Sequence, residues 1–320
     1  MKRLFVLAAM ALPQVALAQT KWDLPTAYSA NSFQTQNVQQ FVQDVEQATS
    51  GKLKITLHPG ASLYKANEIK RAVQTGQVQA GEFILSGASN ENALFGVDSV
   101  PFLATNYPDA RRLYLAARPS LEKLLAAQGM KLLFSVPWPG QSLYSIKPID
   151  APDDFKGTKM RAYNPATTRI AQLLKAQPVT IQLAELGQAL ATGTVENFLT
   201  SSASGIESKL YEQTKFFYPV NGWLPRNATV VGLKAFEALD SVTQSALLKA
   251  ASTAEERGWR LSAERDAEYV RVLGERGMKV SPPSSALRRE LENIGETMTA
   301  EWLKTAGPDG EAIITAYRKR

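Results

Sequence analysis

The chain has 320 residues, with 36 Lys and Arg against 30 Asp and Glu, 44% hydrophobic and 21% charged residues, one histidine and no cysteine. That composition belongs to a folded globular protein and not to a disordered or fibrous one. Without cysteine there is no disulfide framework, thiolate metal site or thiol nucleophile, and a Ser-His-Asp triad or a zinc site would have to rest on His58 alone.

Lys2 and Arg3 precede an apolar run from Leu4 to Leu12, and Ala16-Leu17-Ala18 has the form of a cleavage site. The run falls short of the ~20 residues that span a bilayer, so residues 1–18 read as a secretory signal cut after Ala18. What remains has the length of two domains at roughly 150 residues each. No later stretch is apolar enough to span, so the mature chain is expected to be soluble and exported, in a bacterial cell to the periplasm. Once Lys2 and Arg3 are lost the positive balance is mild. The clusters Arg111-Arg112, Arg288-Arg289 and Arg318-Lys319-Arg320 lack interleaved aromatics, so no nucleic acid and no membrane surface is implied as a partner.

Val38, Phe41, Val42, Val45 and Ala48 follow helical spacing up to Gly51, and Leu53, Ile55 and Leu57 then alternate as a strand. The same alternation predicts a helix over 68–75, a strand over 79–85, a helix over 108–128 ending at Gly129, and a strand over 130–136. In the second half strands over 158–163, 179–182 and 195–200 alternate with helices over 167–176 and 184–191, a βαβαβ unit. A long helix over 240–278 contains Gly258, and helices over 286–305 and 310–317 close the chain. The fold class is therefore α/β, with mixed sheets flanked by helices. Ligands of such sheets bind beyond the carboxyl ends of the strands, which puts residues 161–164 and 200–202 on one crevice.

Chemistry is sparse along this framework. Ser62-Leu63-Tyr64-Lys65 and Ser120-Leu121-Glu122-Lys123 have the S-x-x-K form but lack the companion motifs of that site, and there is no nucleophile elbow, P-loop or dinucleotide fingerprint. Arg161 at a strand end remains, followed by Asn164 and Pro165 at a helix start whose free amides favour an anion. Guanidinium and helix N-terminus together suit a carboxylate.

Five segments carry a family resemblance: VEQATSGKLKITLHPGASLYKANEIKRAVQTGQVQAGEF (45–83), VDSVPFL (97–103), PWPGQSLYSIKPI (137–149), DFKGTKMRAYNP (154–165) and AELGQALATGTVENFLTSS (184–202). In that order, along nearly the whole mature chain, they resemble the DctP-type periplasmic substrate-binding proteins of TRAP transporters. The resemblance implies a two-lobed periplasmic binding protein fold, type II-like, with hinge strands and a long hinge-spanning helix. It implies lobe I over 19–138 plus 227–265 and lobe II over 139–226 plus 266–320, with hinges near Pro139-Gly140, near Pro225 and around Arg265, where Gly258 allows bending. It also implies a non-enzymatic receptor without a cofactor that hands an organic acid to small and large membrane permease subunits, and a monomer is expected.

By the same resemblance Arg161 makes a bidentate salt bridge with the ligand carboxylate, assisted by Asn164. Gln141 stands where many members carry a second arginine, which argues against a second carboxylate. Thr200, Ser201 and Ser202 supply hydroxyls, and Glu82 is the acid contributed by the first lobe. Trp138, Trp223, Phe33, Tyr28 and Tyr144 fall in segments that border the cleft and favour a flat or apolar ligand body. The expected ligand is a small monocarboxylate, preferably an aromatic or branched 2-hydroxy or 2-keto acid. The alternatives are a C4-dicarboxylate, with Lys65 or Lys70 as the second cation, and a ligand-dependent accessory of a membrane sensor.

Overall fold

The structure, a computed structural model, describes residues 19–319, so the signal assigned to residues 1–18 lies outside the described residues. In chain order the first lobe opens with β1 (Thr20–Pro25), α1 (Phe33–Ala48), β2 (Leu53–His58), α2 (Ile69–Gln74), β3 (Ala80–Ile84), α3 (Tyr107–Ala127) and β4 (Met130–Pro137). The second lobe follows as β5 (Ser142–Ser145), β6 (Lys159–Ala162), α4 (Pro165–Leu173), β7 (Gln177–Thr180), α5 (Leu183–Ala191), β8 (Asn197–Thr200), α6 (Ser202–Glu207) and β9 (Phe216–Tyr218). The chain returns as β10 (Arg226–Gly232), α7 (Leu233–Glu237), α8 (Ser241–Glu275), β11 (Lys279–Val280) and α9 (Ser285–Arg318).

The helical stripe read from the sequence is the buried face of α1, and it packs on the inward residues Trp22, Leu24, Leu53 and Ile55 of the parallel pair β1 and β2. A bridge between Thr26 and Glu82 joins that pair to β3, and β10 lies antiparallel between β3 and β4. The second sheet runs β11-β9-β5-β8-β6-β7, in which β6, β7 and β8 are parallel and α4 and α5 are their crossovers, as the βαβαβ reading requires. Among the described residues no helix is long and apolar enough to cross a membrane.

Two of the segments that join the lobes are hydrogen-bonded to each other. Trp138 N–H donates to the Pro225 carbonyl (2.8 Å), Gln141 N–H to that of Trp223 (2.8 Å), and Gly222 N–H to that of Gln141 (2.9 Å). The crossing is thus a paired ribbon running beneath the cleft.

Two expectations need correction. Gly258 is no bend, because α8 is continuous over 35 residues. A Cβ there would sit 2.8 Å from Asn37 Nδ2 and closer still to Val136, so the glycine lets α8 lie against α1 and β4. The chain end does not belong to the second lobe alone. Leu287, Leu291 and Ile294 pack on that lobe, whereas Trp302, Ile313 and Ile314 sit in the first-lobe core with Phe95 and Tyr114. The two closing helices, carried here under the one label α9, meet at Gly307 (φ 58°), whose backbone is not helical, just before Pro308, and together they strap both lobes.

Candidate functional site

A cavity of about 280 Å³ opens between the lobes. Tyr28, Phe83, Ile84 and the loop carrying Ala61, Lys65 and Ala66 wall it from the first lobe. Arg161, Tyr163, Thr200, Ser204 and the start of α5 wall it from the second, and Trp138, Gln141 and Pro225 of the crossing ribbon form its base. The parallel strands β6 and β8 deliver Arg161 and Thr200 from their carboxyl ends, as the topology dictates.

Arg161 is 3% exposed. Its Nε donates to the Ile181 carbonyl (2.9 Å) and its guanidinium lies 5.0 Å from the centre of the Tyr163 ring. Among the described residues no carboxylate pairs with it, and burial lowers its pKa to about 10, with Tyr163 and Tyr28 opposing that shift. It remains charged at neutral pH, an enclosed cation whose Nε is anchored and whose two terminal nitrogens make no hydrogen bond among the described residues. Beside it, α5 begins at Leu183 with no side-chain cap from Gln182, and its first residues, 182–185, line the same cavity.

Behind the first-lobe wall runs a buried polar chain. Trp138 Nε1 (2.9 Å) and the Tyr28 hydroxyl (3.1 Å) both donate to Asn227 Oδ1, and Asn227 Nδ2 donates to Glu82 Oε1 (3.1 Å). The Thr26 hydroxyl donates to the other oxygen of Glu82. Burial pushes the Glu82 carboxyl up, against the pull of the Thr26 and Asn227 hydrogen bonds. The Tyr28 and Trp138 rings meet at 4.8 Å, with Phe33 edge-on to Trp138 at 5.3 Å from outside. At the mouth stand Lys65 from the first lobe and Glu185 from the second, both exposed.

Of the residues read from the sequence, the structure brings Arg161, Gln141, Thr200, Trp138 and Tyr28 to the cavity surface. The others stand behind it. Glu82 is one shell back, committed to Thr26 and Asn227, and Phe33 backs Trp138. Tyr144 is fully buried in the second-lobe core, its ring stacked on Phe198 at 5.0 Å and its hydroxyl donating to the Ser201 carbonyl (3.0 Å). Trp223 is buried among Tyr218, Val220 and Leu291. Ser201 caps α6, and Ser202 donates to Asp266 of α8 (2.7 Å). Asn164 caps α4 and reaches across the lobes to the Ser86 hydroxyl (2.9 Å), so it ties lobe to lobe. Of the candidate second cations, Lys70 is paired with Glu91 (2.5 Å) and only Lys65 reaches the cavity.

Sequence reasoning put Tyr163 on the crevice only as part of residues 161–164, without singling it out, and it missed Asn227, Ser204 and the α5 start. Tyr163 had a signal, since it stands two residues after Arg161 on an extended segment and shares its face. Asn227 had none, because it reaches Glu82 only through a strand that returns 145 positions later.

Comparison with known proteins agrees with this architecture. Residues 25–305 match the model of the bacterial extracellular solute-binding proteins, family 7. A Bordetella pertussis extracytoplasmic solute receptor binding pyroglutamic acid is 51% identical with a TM-score of 0.92, covering 94% of this chain and 100% of that one. A marine metagenome TRAP solute-binding protein in complex with co-purified pyroglutamate is 43% identical with a TM-score of 0.93, covering 94% and 99%. The C4-dicarboxylate-binding periplasmic protein DctP of Rhodobacter capsulatus is 25% identical over 247 residues, 74% of this chain and 72% of the relative. With a family match over most of its length and this fold around an interlobe cavity, the chain belongs to family 7 of the bacterial extracellular solute-binding proteins, the solute receptors of TRAP transporters.

Proposed function

We propose that this receptor captures a small monocarboxylate, with pyroglutamate as the favoured ligand, between its lobes in the periplasm and delivers it to the membrane permease subunits. The observation that carries this is Arg161, a buried cation with no carboxylate partner among the described residues, anchored through Nε so that its remaining fork faces the cavity. A ligand carboxylate supplies the missing charge in bidentate geometry. Pyroglutamate suits the rest of the site, because its flat five-membered lactam matches the aromatic wall of Tyr28, Trp138 and Tyr163, and receptors 51% and 43% identical to this one bind it. Thr200 and the α5 start line the same cavity and would meet its ring carbonyl. Aromatic and branched 2-hydroxy or 2-keto acids share the carboxylate and the flat body and form the next class.

A C4-dicarboxylate is the second reading, favoured by Lys65 at the mouth. Glu185 stands at the same mouth and offsets that charge, while Gln141 offers no cation at the base, so a second carboxylate would be taken from water with little return. Export with cleavage after Ala18 and action as a monomer complete the proposal. A thermal-shift screen of organic acids tests it, since a ligand at 100 times its Kd adds ~2.7 kcal/mol of stability. Pyroglutamate should give the largest upward shift, and succinate or malate giving the largest shift instead would replace this reading with the dicarboxylate one.

A further inference from the structure

Two tyrosines line the cavity, Tyr28 from the first lobe and Tyr163 from the second. What each can offer a ligand is decided by atoms behind the wall. An indole N–H can only donate, so the 2.9 Å contact of Trp138 Nε1 fixes which end of the Asn227 amide is oxygen. The Tyr28 hydroxyl, 3.1 Å from that same oxygen, must then donate to it. The second lobe repeats the logic. A backbone carbonyl can only accept, so the Pro139 oxygen, 3.2 Å away, fixes the Gln141 Nε2 end. This leaves Gln141 Oε1 3.1 Å from the Tyr163 hydroxyl, which must donate as well. Both phenol protons are therefore committed inside the protein, and toward a ligand each oxygen can only accept. Burial is the main reason that both phenols stay protonated far above neutral pH, and both lie near enough to Arg161 to influence its ionisation.

We propose that Tyr28 and Tyr163 are specificity-determining residues which require an uncharged hydrogen-bond donor, N–H or O–H, beside the ligand carboxylate. The proposal rests on the reading that Arg161 takes that carboxylate. A lactam N–H or a 2-hydroxyl meets the two acceptors, whereas a lactone ring oxygen or a 2-keto oxygen sets lone pair against lone pair. An ammonium group would donate, but it would add a cation beside Arg161 in a cavity whose only lining carboxylate, among the described residues, is the exposed Glu185 at the mouth. The filter thus keeps the 2-hydroxy acids of the class admitted above on shape and charge and disfavours its 2-keto members, together with free amino acids.

Titration calorimetry on the full mature chain tests this with two isosteric pairs: pyroglutamate against its lactone counterpart 5-oxotetrahydrofuran-2-carboxylate, and 2-hydroxyisovalerate against 2-ketoisovalerate. In wild type the donor-bearing member of each pair should bind at least about tenfold tighter. In the Tyr28→Phe, Tyr163→Phe double variant, which keeps both rings, the gap within each pair should shrink below about threefold, with circular dichroism confirming the fold. Wild-type gaps under threefold in both pairs overturn the donor requirement while leaving the Arg161 reading intact. Indifference to pyroglutamate together with a preference for the hydroxy over the keto acid keeps the requirement and removes pyroglutamate. Binding that survives Arg161→Ala unchanged removes the reading on which both depend.

Discussion

Replacing Arg161 by alanine should separate two effects that most binding-site substitutions confound. In the ligand-free fold the guanidinium is a buried charge without a counterion among the described residues, and lowering its pKa from the ordinary arginine range to about 10 corresponds to about 3 kcal/mol held against the folded state. The Ile181 hydrogen bond (2.9 Å) and the stacking on Tyr163 return roughly 1–2 kcal/mol of that. Arg161→Ala should therefore leave the unliganded protein as stable as wild type or more so, although it deletes a side chain that is only 3% exposed. Ligand binding should respond in the opposite sense. Removing one partner of a buried charge pair costs ~2–5 kcal/mol, or roughly 30- to 5,000-fold in affinity. Arg161→Lys should rescue little, because an ammonium cannot hold the Ile181 carbonyl and present a planar fork at once. Thermal melts without ligand, paired with calorimetric titration, read both quantities on the same samples. A large fall in melting temperature would make Arg161 a structural residue, and an affinity change under threefold would remove it from the site.

Four further outcomes follow from the same geometry. Pyroglutamate and other monocarboxylates should outcompete succinate and malate in a competition titration, because Gln141 leaves a second carboxylate without a cation at the cavity base. Scattering should show a smaller radius of gyration in wild type with saturating ligand and no contraction in Arg161→Ala, since only a ligand touching both lobes shifts the equilibrium toward closure. Asp98→Ala should lower the denaturant midpoint by an amount equivalent to ~3–5 kcal/mol, because it strands Arg226, which is 1% exposed and pairs through Nε with Asp98 at 3.2 Å. Glu207 accepts from the Phe33 N–H (2.9 Å), and burial raises its carboxyl to about 7 against the pull of Phe33, Ser32 and Arg265. Between its ordinary value of 4.5 and about 7 the folded state holds the extra proton, so this stabilisation is full below the window and lost as pH rises through it. The difference in melting temperature between wild type and Glu207→Gln across pH 4–8 should show that slope, and parallel curves would refute it.

Much of the architecture was legible because it rests on local periodicity. The stripe of Val38, Phe41, Val42 and Val45 and the alternation of Leu53 and Ile55 are properties of short windows, and they are the buried faces of α1 and β2. The strand-end position of Arg161 followed from the βαβαβ pattern, and its placement in the cavity needed nothing more than parallel strands. Side-chain direction was not legible. Tyr144 and Trp138 are both aromatics in segments assigned to the cleft, yet Phe198 and Phe217 take up Tyr144 in a core while Trp138 is turned to the cavity by Asn227. Only contacts between distant strands decide that difference. Gly258 misled for a related reason, because a helix glycine reads alike whether it serves flexibility or the close approach of a neighbour such as Val136. The helix spacing of residues 310–317 was correct, but nothing in it told which lobe those residues join.

Whether Arg161 receives a ligand carboxylate in the cavity between the lobes is decided by a crystal structure of the mature chain with pyroglutamate. One molecule should lie in the cavity, with both carboxylate oxygens about 3 Å from the terminal nitrogens of Arg161 and the lactam N–H directed at the Tyr28 and Tyr163 oxygens. Ligand density at any other place, or Arg161 paired with Glu185 while the carboxylate lies elsewhere, would contradict that role for Arg161.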